Sequence, residues 1–128
     1  MWKPMTDERI RAVMPMAPEG AWLFGKRGLA ASTKPALIIG AGSDDISLYD
    51  QEAAVLFQQL GSADKAMITL IDKGHMTGPE PEQLEPLLHF AVAFFGYHLQ
   101  GRNEYRRYFS EEFVGQYSDL AWGAVLNK

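Results

Sequence analysis

The chain has no cysteine, which excludes a disulfide framework, a thiolate nucleophile and a thiolate metal site. It also has no long basic block, and with 12 Lys and Arg against 16 Asp and Glu its net charge is −4. The electrostatic footprint of a nucleic-acid binder is therefore missing. No apolar run approaches the roughly 20 residues that span a bilayer, and the N-terminus, Met1-Trp-Lys-Pro, lacks the apolar segment of a signal peptide. These absences lead to an expected cytoplasmic protein with no nucleic-acid partner, no membrane partner and no cofactor. No repeat, low-complexity tract or linker divides the sequence. A hydrophobic share of 47% over 128 residues suffices for one core, which in a chain of this size removes about two thirds of the unfolded surface from water.

What is present is a set of short apolar runs. Arg9-Ile-Arg-Ala-Val-Met-Pro-Met-Ala17 reads as a first strand, apolar almost without break from Ala12 and weakened by Pro15, which cannot donate to a sheet ladder. Ala36 to Gly40 is the second strand and Ala66 to Ile71 the third. Continuous rather than alternating apolarity is the pattern of a strand buried on both faces, as in a parallel sheet covered by helices. Pro18 to Gly28, with its glycines and two large aromatics, reads as a loop with room for a short helical turn. A helix is expected from about Leu48 to Leu60, stopped by Gly61. A longer one opens at Pro79-Glu-Pro-Glu and ends near Gly101, with Leu84, Leu87, Leu88, Ala91, Phe94 and Phe95 on one stripe. Asn103 to Ser110 and onward through Phe113 is a last, less regular helical stretch, and Ser110-Glu-Glu resembles a new N-cap.

The alternation predicts an α/β fold of about three parallel strands with flanking helices. So few strands leave an unpaired edge, so the sheet is expected to be incomplete and residues 1–128 to form a single partial domain. A homodimer or a partner chain at that open edge follows as an expectation.

In open parallel sheets, ligands gather at the carboxyl ends of the strands. The three runs here end in Pro18-Glu19-Gly20 with Trp22 and Phe24, in Gly42-Ser-Asp44-Asp45, and in Lys73-Gly-His75. A carboxylate that accepts the imidazole N–H fixes the tautomer and leaves the other ring nitrogen as a general base. Asp44 and His75 suit that pairing, with Asp45 as the alternative acid. Trp22 and Phe24 read equally well as core aromatics. His89 and His98 lie half a turn out of phase on the long helix and read as structural. Asp72, His75 and Glu80 match no recognised metal spacing, so no metal site is expected. Arg102, Arg106 and Arg107 read as a solvated face.

Several of these segments together resemble the C-terminal half of an α/β-hydrolase, and more narrowly the dienelactone-hydrolase-like group of predicted esterases. They are Asp7-Glu-Arg-Ile-Arg-Ala-Val-Met-Pro-Met-Ala-Pro18, Lys34-Pro-Ala-Leu-Ile-Ile-Gly-Ala-Gly-Ser-Asp-Asp45, Gly61-Ser-Ala-Asp-Lys65, Lys73-Gly-His75 and Ala93-Phe-Phe-Gly-Tyr-His-Leu-Gln-Gly101. The likeness runs from about Thr6 to Gly101. It implies a serine carboxylic-ester hydrolase in which Asp44 is the triad acid and His75 the base, and in which the loop from Glu19 to Phe24 forms part of the substrate rim. The implied partner is a small-molecule ester.

One part of that pattern is missing. The family's nucleophile sits in a G-x-S-x-G elbow upstream of the acid and the histidine, and this sequence contains no G-x-S-x-G. The elbow and its oxyanion hole are expected before residue 1. Ser43 follows the wrong strand and occupies the acid's turn. Ser32, Ser47, Ser62, Ser110 and Ser118 read as caps or surface hydroxyls. The chain alone is therefore expected to be inactive.

Overall fold

A computed structural model describes residues 7–75 and 81–125, without the side chains of 81–84. Its centre is a pair of parallel strands, β1 (Ala36–Ala41) and β2 (Lys65–Leu70), in register from Ala36 opposite Lys65 to Ala41 opposite Leu70. Every residue of β1 is buried, because both faces of the strand are covered. Leu37 and Ile39 point to one face, where they meet Leu87, Phe90 and Phe94 of helix α3 (Pro81–Gln100) together with Phe109 and Val114. Ala36 and Ile38 point to the other, against Tyr49 and against Ala53 and Ala54 of α2 (Ala53–Gln59). Gly40 shares that second face. A Cβ there would come within 2.6 Å of Met67 Cε and 2.7 Å of Tyr49 Cε2, so glycine lets the tyrosine ring lie flat on the strand.

The expected first strand is reduced to two parallel bridges beside β1, Val13 with Ala36 and Met16 with Ile39. Val13 and Ala17 donate to Pro35 O and Ile39 O, while Leu37 and Ile39 donate to Val13 O and Pro15 O. Pro15 occupies the position whose N–H would complete this inner ladder, and proline has none. The segment follows β1 without becoming a regular strand.

The sheet is mixed, not all-parallel as expected. β3 (Leu120–Trp122) adds to the far side of β2 in antiparallel register, Ile68 opposite Trp122 and Leu70 opposite Leu120. Side-chain bonds hold this return segment. Thr69 Oγ1 donates to Gly123 O at 2.8 Å, so Tyr49 OH must donate to Thr69 Oγ1 at 2.7 Å while it accepts Val125 N–H at 2.8 Å.

The glycine-bearing segment expected as a loop is α1 (Ala21–Ala30), a helix broken at Gly25, whose φ of 60° lies in the left-handed region. The helix expected from Leu48 begins only at Ala53, and residues 45–52 form consecutive turns. Pro79 and Glu80, the expected opening of the long helix, lie outside the described residues, as do Thr6 and the residues before it. After α3 come a 3₁₀ helix (Asn103–Tyr108) and α4 (Glu111–Val114). Ser110 caps α4 by accepting Phe113 N–H. Among the described residues no helix is long and apolar enough to cross a membrane.

Candidate active site

Two loops leave the carboxyl ends of β1 and β2 side by side. Gly42 N–H donates to Leu70 O, and Ser43 N–H donates to Lys73 O, both at 2.9 Å. These bonds hold the loop of Asp44 against the loop of His75. Between the second strand and the histidine, Asp72 adopts a left-handed φ of 55°, which turns the chain back over the sheet.

The Asp44 side chain is 2% exposed, and each of its oxygens has a hydrogen-bond partner. Oδ1 accepts the N–H groups of Ile46 and Ser47, each at 2.9 Å. Oδ2 lies 2.9 Å from His75 Nδ1, with Oδ1 at 3.1 Å from the same nitrogen. Burial alone would raise the acid's pKa, but the hydrogen bonds from His75 and from the Ile46 and Ser47 amides outweigh it and hold the carboxyl below its usual range. An ionised carboxylate can only accept, so the neutral form of His75 has its proton on Nδ1 and its lone pair on Nε2. The imidazole is 24% exposed. Beside the acid lies a shallow cleft of about 200 Å³ lined by Gly42, Leu48, Tyr49, Asp50 and Gln51.

Asp45 is exposed and takes no part in this pair. Glu19 is exposed in the irregular segment before α1. Trp22 and Phe24 are 72% and 62% exposed on the first turn of that helix, with Leu23 equally open between them. They are not part of the core of this chain. Ser47 is a buried residue of the acid's own turn rather than a surface hydroxyl, and its Oγ has no hydrogen-bond partner. Among the described residues, no serine hydroxyl is hydrogen-bonded to His75, and no three His, Asp or Glu side chains are grouped to hold a metal ion.

The two other histidines sit on α3 among aromatics. His89 stacks on Phe113, and His98 packs edge-on against Phe94 and Tyr97. Burial depresses the pKa of His98, opposed by Asp64 and reinforced by Arg106. Arg102, Arg106 and Arg107 are exposed, as expected of a solvated face, and two of them also lie over rings, Arg106 over Phe109 at 4.9 Å and Arg107 over Tyr108 at 4.7 Å.

One buried residue that fixes the start of α1 carries no sequence signal. Glu52, buried at 8% exposure, accepts the N–H groups of Gly20 and Ala21 on Oε2 at 2.8 and 2.7 Å. The first amides of a helix have no partner within it and carry its positive dipole end. The carboxylate satisfies two such amides and thereby fixes where Trp22, Leu23 and Phe24 emerge. A lone glutamate ahead of a short helix gives no hint of this contact across the fold.

Compared with known proteins, the chain matches no family model and no curated sequence.

Proposed function

We propose that Asp44 and His75 are the acid and the general base of a serine carboxylic-ester hydrolase of the dienelactone-hydrolase-like kind. On this reading residues 1–128 are the C-terminal part of an α/β-hydrolase domain, and the nucleophile and oxyanion hole belong to polypeptide outside them. The supporting observation is the 2.9 Å contact between His75 Nδ1 and a buried carboxylate, made where two parallel strands end. In the completed site, His75 Nε2 takes the proton of the serine hydroxyl as it attacks the ester carbonyl, and Asp44 stabilises the imidazolium. The alcohol leaves with that proton, and water, deprotonated by the same imidazole, releases the acid from the acyl-enzyme. Trp22, Leu23 and Phe24 offer the apolar contact for the acyl or alcohol group, with Glu19 at the margin.

The test is p-nitrophenyl acetate turnover with a nucleophile-bearing upstream half added back. Turnover should rise above the sum of the separate pieces and fall by about 10³-fold or more in His75→Ala. No gain on mixing, or an undiminished rate in the variant, removes the proposal.

A second reading is favoured by the outer side of the 12–16 segment, whose Ala12, Met14 and Met16 have no backbone partner among the described residues: a non-catalytic module that associates with itself or with a partner chain. A fluorophosphonate probe on the isolated chain tests the premise the two readings share. On either reading these residues alone are unlabelled, so labelling would reveal a nucleophile in them.

A further inference from the structure

We infer that the outer edge at Ala12–Met16 joins two copies of this chain, pairing antiparallel about a two-fold axis at Met14. The inference rests on the second, self-associating reading, since the upstream half of the hydrolase reading would need this same border. Val13, Pro15 and Ala17 direct their backbone groups inward to β1. By the two-residue alternation of extended chain, Ala12, Met14 and Met16 direct theirs outward. None of the three has a backbone partner among the described residues. Pro15 lacks its N–H on the inner side only, so the outer row of donors and acceptors is intact.

This row is complementary to itself. An axis at Met14 sets Met14 opposite its own copy and Ala12 opposite Met16 of the copy, and each residue exchanges both its N–H and its C=O across the edge. The same register places Ile10, Ala12, Met14 and Met16 on one face. Ala12 and Met14 pack on the α3-side core, while Ile10 and Met16 are each 52% exposed and gain apolar neighbours from the second copy. Arg11, which reaches from the same segment to His98 O and Leu99 O, tethers the edge to the end of α3 and keeps it extended.

Sedimentation equilibrium of the full chain at micromolar concentration should give twice the 14.3 kDa chain mass. Met14→Pro removes an outward N–H without touching the inner ladder, and Met16→Glu sets two charges into the joint. Each should weaken dimerisation at least about tenfold with an unchanged circular dichroism spectrum. A native-like monomer throughout, or a dimer indifferent to both Met14→Pro and Met16→Glu, overturns the inference.

Discussion

The Asp44 carboxylate and the His75 imidazole meet across the ends of adjacent parallel strands, with Nδ1 2.9 Å from Oδ2. The acid is oriented from behind by the Ile46 and Ser47 amides, so the pair has one geometry and one tautomer. In Asp44→Asn, the amide NH₂ can face Nδ1 and favour the other tautomer. Nitrogen chemical shifts of His75 should move from the Nδ1–H to the Nε2–H pattern. In Asp44→Ala both amides and the imidazole lose their acceptor, and urea unfolding should show a loss of about 3 kcal/mol. An unchanged tautomer in Asp44→Asn would contradict the assignment.

Acid should unfold the chain in two separable stages. His98 has a folded pKa below its unfolded one, so its contribution is complete above the unfolded value of about 6.5 and is lost as pH falls through the folded value. Asp44 is also depressed, and its contribution is lost lower, from about pH 3.9 downward. Urea midpoints measured across pH should lose the upper stage in His98→Phe and the lower one in Asp44→Asn. Retention of both stages in both variants would show that other groups set the acid limit.

Glu52 holds the first turn of α1 through two amides. Glu52→Ala leaves those amides buried without an acceptor and should cost about 2–3 kcal/mol. Hydrogen exchange at residues 20–24 should accelerate well beyond the global change in stability. Glu52→Gln, which keeps an acceptor oxygen, should lie between the two. Equal exchange rates in all three proteins would detach Glu52 from the placement of Trp22 and Phe24.

Much of the core was legible because its signal is local. The runs Ala36 to Gly40 and Ala66 to Ile71 are apolar at every step but Gly40 and Thr69, and β1 and β2 lie on them. The three-and-four spacing of Leu87, Ala91 and Phe94 likewise marks α3. The Asp44–His75 contact was legible for a topological reason, since consecutive parallel strands bring their carboxyl ends together. What escaped depends on distant contacts. Leu120–Trp122 is too short to show a period, and it becomes a strand because Thr69 and Tyr49 bind the backbone around it. α1 carries Gly25 and Gly28 and no clean stripe, and a carboxylate 31 residues away at Glu52 anchors its start.

The brevity of β3 bears on how far such a sheet can extend. Three residues at that margin offer few free amides to a newcomer, and a short terminal strand is one of the ways proteins discourage further stacking. Among the described residues the Val13–Ala17 side is the one receptive border, so joining through it as proposed would leave no second point of growth there. The proposed assembly would close at a discrete particle, where a chain receptive at both borders would elongate into a filament.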